Sequence, residues 1–186
     1  MPDAILLTHG AGSNKDSPLL QAFDRAFADA GVLVQRVNLS YRQARPTGPP
    51  PRGAAEADRA GLRAALSEPR SRVTGRLFAG GHSYGGRQAS MLVASEPSLV
   101  DGLLLLSYPL HPPRKPEDLR VAHFPQLRTS AFFVHGSRDP FGSLSEMEEA
   151  LKLIPAPSHL YALEGVGHEL SAGSAAAVAS EFLKFV

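Results

Sequence analysis

Cysteine is absent from the 186 residues. That absence removes disulfides, thiolate metal sites and cysteine nucleophiles together, and it leaves the cellular compartment open. An excess of charge of either sign is missing too: 19 basic residues face 18 acidic ones, a net charge of +1. Such a balance gives no electrostatic footprint for nucleic acid or an anionic membrane. No apolar run approaches the length of a membrane span, and the start, Met1-Pro2-Asp3-Ala4-Ile5-Leu6-Leu7, lacks the basic region of a secretory signal. A cytoplasmic protein is the expectation. Internal repeats and low-complexity tracts are lacking apart from the short run Pro49-Pro50-Pro51. What is present is globular, 43% hydrophobic and 20% charged, and the length suits one domain over residues 1–186 with a core of its own.

Apolar runs alternate with helical patterns along the chain. Ala4 to Thr8 is a continuous apolar run, read as a buried parallel strand, and His9-Gly10-Ala11-Gly12-Ser13 follows as a loop. Ser17 as N-cap, Pro18 at the first helical position, Leu19, Leu20, Phe23 and Phe27 on one face and a terminating Gly31 then write an amphipathic helix. Residues 32–37 predict a second strand. Residues 38–53, with their prolines and glycines, read as an irregular surface loop leading to an alanine-rich helix over 54–67. Further strands are predicted over 75–78, 102–107, 131–134 and 159–163. Helices are predicted over 87–95, from a capping box at Ser143 or Ser145 to about Leu153, and over 174–185. Residues 107–125, with five prolines, are the least regular part. Six strands alternating with helices predict an α/β fold with a doubly wound, mostly parallel six-stranded sheet.

Between the third strand and its helix lies Gly81-His82-Ser83-Tyr84-Gly85, a G-x-S-x-G elbow. The glycines let strand and helix approach around a strained residue, so Ser83 projects where a substrate can reach it. A serine hydroxyl is a weak nucleophile and needs a base, an orienting acid and donors for the developing oxyanion. Ligands in such a sheet bind beyond the carboxyl ends of the strands, and this sorts the candidates. Asp101 precedes its strand and Asp118 has no scaffold, whereas Asp139 directly follows a strand, in a turn set by Pro140. His159 begins its strand, whereas His168 follows the last one. Ser83, Asp139 and His168 are the expected catalytic residues, with Glu164 and Glu169 as weaker candidates for the acid. His9, His135 and His82 read as turn, scaffold and packing residues. The amides of Tyr84, at the start of the helix, and Ala11, after the first strand, are the expected oxyanion donors, with Gly12 second. Gly12, Tyr108 and His111, with Phe124, are the expected walls of a substrate pocket. Arg87 opens the elbow helix and either binds a substrate carboxylate or is an exposed or ion-paired surface arginine, the latter being the expectation. The residues Gly10, Gly12 and Lys15 fit neither a dinucleotide fingerprint nor a P-loop.

With these residues placed, the chain resembles the α/β-hydrolase superfamily and more narrowly its dienelactone-hydrolase-like branch. It is similar above all to the compact hydrolase-like domain shared by testis-expressed protein thirty, subunit three of the NSL chromatin complex and many bacterial proteins. The likeness rests on Thr8-His9-Gly10-Ala11-Gly12, Gly81-His82-Ser83-Tyr84-Gly85-Gly86-Arg87, Tyr108-Pro109-Leu110-His111-Pro112-Pro113, His135-Gly136-Ser137-Arg138-Asp139-Pro140-Phe141-Gly142 and Gly167-His168. It implies a minimal hydrolase core that begins at the third strand of the larger fold and has no cap domain. It also implies Ser83, Asp139 and His168 as the triad, with no cofactor and no metal. Dienelactone hydrolases proper use a cysteine nucleophile, so their substrate is not carried over. The expectation is a serine hydrolase of small-molecule esters or thioesters, compatible with a homodimer. The alternative is a catalytically silent module in a protein complex.

Overall fold

The computed structural model describes residues 2–186. Six strands form one fully parallel sheet: β1 (Ala4–Thr8), β2 (Leu33–Val37), β3 (Leu77–His82), β4 (Gly102–Leu106), β5 (Ala131–Gly136) and β6 (Ser158–Leu163), in the order β2-β1-β3-β4-β5-β6. The central strands are apolar throughout because both faces of the sheet are covered. Alternation along each strand divides them between two cores. Leu6, Leu103, Leu105 and Phe133 point to one core, which is closed by Leu62, Leu92, Val93 and Met147. Ile5, Leu7, Leu104, Leu106 and Phe132 point to the other, closed by Leu20, Phe23, Phe27, Val178 and Phe182.

The covering helices are α1 (Pro18–Asp29), α2 (Ser40–Ala44), α3 (Ala54–Ala65), α4 (Ser67–Arg72), α5 (Tyr84–Ser95), α6 (Leu144–Leu151) and α7 (Ala175–Phe185). α1 starts where its signals place it, with Pro18 in the first turn and the Leu20 amide donating to Ser17 Oγ at 3.4 Å. Of the two capping boxes in the sequence, Ser143 with Glu146 caps α6.

Several elements differ from expectation, among them α4, a separate short helix where the alanine-rich helix is expected to end. β3 runs to His82 because Gly80 lies inside the sheet: a Cβ there would sit 2.5 Å from the Leu104 carbonyl oxygen, so the glycine serves close backbone approach and not a turn. α5 accordingly begins at Tyr84, immediately after Ser83. The 38–53 segment is not wholly irregular. It holds α2, whose Tyr41 amide donates to Asp58 Oδ1 on α3 at 2.9 Å, a tertiary contact that local sequence does not announce.

Phe182 on α7 is fully buried and meets Phe27, Phe78 and Phe132 edge to face, with ring centroids 5.9, 5.2 and 6.0 Å apart. Truncating it empties the point where α1, α7 and the sheet meet. Phe182→Ala is expected to lower stability by about 3–5 kcal/mol. The urea midpoint measures this, and a shift of under about 1 kcal/mol would mean that the core refills the space.

Candidate functional site

The carboxyl ends of β1, β3, β5 and β6 bring four loops together. At the end of β3 the chain passes through Ser83 at φ 50° and ψ −117°, a backbone conformation that costs a non-glycine residue about 1–3 kcal/mol. Both flanks hold it there. The Ser83 amide donates to the Leu106 carbonyl at 2.8 Å, and the Ser83 carbonyl accepts from the Arg87 amide at 3.0 Å. Gly85 is pressed against the His9 carbonyl, where a side chain has no room, so the elbow and the loop after β1 are one packed unit.

His168 comes from the loop after β6. Its Nε2 lies 2.8 Å from Ser83 Oγ, and its Nδ1 lies 2.8 Å from Asp139 Oδ2. The carboxylate fixes the proton on Nδ1 and leaves Nε2 to accept from the serine hydroxyl. Asp139 has a fully buried carboxyl, and its second oxygen accepts from the Phe141 amide at 2.8 Å in a turn closed by Pro140. The Phe141 ring lies 4.2 Å from the His168 ring, centroid to centroid. Glu164 instead accepts from the Ser137 hydroxyl, and Glu169 is exposed.

Three further histidines brace these loops. His82 Nε2 donates to the His168 carbonyl at 3.1 Å, His135 Nε2 to the Gly142 carbonyl at 2.7 Å, and His9 Nδ1 to the Gly10 carbonyl at 2.9 Å while its Nε2 accepts from the Leu39 amide. Burial, ahead of every other influence, holds all three below the usual imidazole pKa. They are neutral donors to backbone, as the scaffold reading of His9 and His135 expects. His82 goes beyond packing, since it fixes the backbone of His168.

A cleft of about 330 Å³ opens at Ser83, lined by Ala11, Tyr84, Arg87, Pro109, Arg120 and Phe141. Tyr84 is the first residue of α5, so its amide has no acceptor within the helix. Ala11 and Tyr84, the expected oxyanion donors, line the cleft with Ser83. Gly12, Tyr108, His111 and Phe124 do not line it. Gly12 sits at φ 81° one step beyond the wall. Tyr108 and Phe124 are buried in the core beside Phe133, because Ser107 at φ 49° turns the chain inward after β4. His111 is also buried, its Nδ1 donating to the Pro112 carbonyl at 2.8 Å. The residues that sequence reasoning missed are Pro109, Arg120 and Phe141. Phe141 had a signal in Asp139-Pro140-Phe141, a turn in which the aspartate caps the amide two residues on. Arg120 had none. Among the described residues no cluster of His, Asp and Glu is arranged to hold a metal ion, and no helix is long and apolar enough to cross a membrane.

The buried imidazoles carry a stability signature. His123, whose Nε2 lies 2.8 Å from Ser90 Oγ, is pushed down to about 4 by burial and by the charges of Arg87 and Arg59. With His9, His82 and His135 also lowered from 6.5, the unfolded chain takes up protons that the folded chain refuses. Stability is then complete above about pH 6.5 and is lost as pH falls toward 4. Thermal unfolding between pH 7.5 and pH 4.5 is expected to show a falling midpoint, with a shallower fall in His123→Gln. A midpoint that stays level across that window would refute this assignment.

Residues 2–181 match the family described as an alpha/beta hydrolase domain. Among solved structures, the chain is similar to Est1E of Butyrivibrio proteoclasticus with ferulic acid bound, with a TM-score of 0.79 at 15% identity over 100% of this chain and 89% of that one. It is similar to the dienelactone hydrolase of Anabaena variabilis, with a TM-score of 0.76 at 19% identity over 99% and 85% of the two chains. An alpha-beta serine hydrolase homologue from Coxiella burnetii gives 0.74 at 13% identity over 97% and 83%. At these identities the structures speak for the fold, and the family match covers nearly the whole chain. The protein belongs to the α/β-hydrolase superfamily.

Proposed function

We propose that the protein is a serine hydrolase of small esters or thioesters, with Ser83 as nucleophile, His168 as base and then acid, and Asp139 as orienter. The observation that carries this reading is the unbroken line from Ser83 Oγ to His168 Nε2 and from His168 Nδ1 to Asp139 Oδ2, each step 2.8 Å. Ser83 Oγ attacks the scissile carbonyl carbon as its proton passes to His168 Nε2. The oxyanion forms against the Ala11 and Tyr84 amides. As the tetrahedral species collapses, the leaving oxygen or sulfur departs with the proton held on Nε2, and the acyl group stays on Ser83. Water then attacks the acyl carbonyl, giving its proton to Nε2, and Ser83 recovers that proton when the acid leaves. Throughout, Asp139 remains ionised and stabilises the transient imidazolium, while His82 and Phe141 keep the ring from turning. The cleft of about 330 Å³ suits a small substrate.

Labelling by a fluorophosphonate, with hydrolysis of p-nitrophenyl acetate and butyrate beside it, tests the reading. Wild type is expected to label and to turn over, and Ser83→Ala to do neither. Asp139→Asn should lower kcat by about 10³ to 10⁴ because the imidazole loses its tautomer while the fold persists. A folded wild type that neither labels nor hydrolyses either ester would end the reading and leave the alternative of a fold kept for binding.

A further inference from the structure

Two arginines stand in the wall of the Ser83 cleft, and no carboxylate lines it. Arg87 lies one helical turn after Ser83 on α5, about 5–6 Å along the axis. Arg120 comes from the segment that follows β4. Its backbone is fixed at both ends: the amide donates to the Leu110 carbonyl at 2.8 Å, and the carbonyl accepts from the Tyr108 hydroxyl at 2.6 Å. Neither side chain enters an ion pair among the described residues.

Other arginines withdrawn from solvent in this protein are supplied with acceptors. Arg36 meets Asp24 and Asp16, and Arg42 meets the carbonyls of Ser13, Arg45 and Gly48. In the cleft, by contrast, Arg87 Nε is buried without a hydrogen-bond partner. Asp118, the carboxylate that acts on Arg120, is exposed and stands beyond ion-pair distance. The two guanidiniums also repel each other. Burial and then the charge of Arg87 hold Arg120 below its ordinary pKa, and the same charge helps keep His123 neutral. A group that stores unpaired positive charge beside a nucleophile gains from an anion placed between its members.

We infer that this pair is the subsite for a carboxylate on the substrate, so that the preferred ester is mono-anionic, with the carboxylate a few bonds from the scissile carbonyl. A planar guanidinium fork matches a carboxylate through two parallel N–H donors, and two such forks from different elements fix its direction as well as its charge. The inference rests on the serine hydrolase reading above. Tyr108, buried beneath the cleft, is a positioning residue for Arg120 and does not touch substrate.

Paired substrates provide the test. p-Nitrophenyl hemiglutarate against p-nitrophenyl valerate places the charge on the acyl half, and 4-acetoxybutyrate against butyl acetate places it on the alcohol half. In wild type the kcat/KM ratio of charged to neutral ester is expected to exceed about tenfold in one of the pairs. Arg120→Gln and Arg87→Gln should each bring that ratio down toward unity, with the loss chiefly in KM, and high salt should do the same. Tyr108→Phe should lower the ratio by less. As a measurement free of turnover, monomethyl glutarate should bind folded Ser83→Ala and bind it more weakly once Arg120→Gln is added. Turnover of both members of each pair with no preference for the charged one overturns the carboxylate subsite and leaves the hydrolase standing. Absence of turnover and of fluorophosphonate labelling overturns the hydrolase, whereupon binding of monomethyl glutarate to the wild type that is insensitive to both arginine substitutions overturns the subsite as well.

Discussion

The crossing from β3 into α5 at Ser83 is the constraint on which the rest of the site depends. A serine held at φ 50° is stable there only because neighbours on every side over-determine it: the Leu106 carbonyl in the sheet, the Arg87 amide in the helix and the His9 carbonyl pressed on Gly85. The two apolar cores, above and below the sheet, make those neighbours immovable. One contact then serves two purposes. Packing Gly85 against the loop after β1 holds Ser83 in its strained conformation and also sets Ala11 beside it.

Around that point the electrostatics are divided in space. On the side of Asp139 the histidines His9, His82 and His135 are neutral and donate to backbone carbonyls, so they place no full charge beside its buried carboxylate. Positive charge enters the cleft through Arg87 and Arg120.

What could be read from the residues follows a physical line. Strands buried on both faces announce themselves by unbroken apolar runs, and residues after them land at one end of the sheet. This is how Asp139 and His168 could be preferred over Asp101 and His159 without a structure. Glycine misled in one place, since Gly80 and Gly81 signal a turn in isolation yet occupy a strand interior, and so α5 starts earlier than the pattern suggests. The segment after β4 misled more deeply. Nothing local in Ser107 marks the left-handed backbone that sends Tyr108 into the core, and with that turn misread, Tyr108, His111 and Phe124 are placed in the cleft instead of Arg120. α2 was hidden for a similar reason, being held by Asp58 across the chain and not by a cap of its own.

Ser83 and His168 stand 85 residues apart, with Asp139 between them and 29 before the histidine, each on a loop that has no fixed course until its strand has joined the sheet. Such long-range closures are among the last gained as a chain condenses, since they require the intervening loops to be closed first. β6 is an edge strand and the final one in sequence, so the imidazole reaches the hydroxyl only when the whole sheet is assembled. During synthesis the emerging chain thus presents Ser83 without its histidine, and the closing of that contact marks the completion of folding.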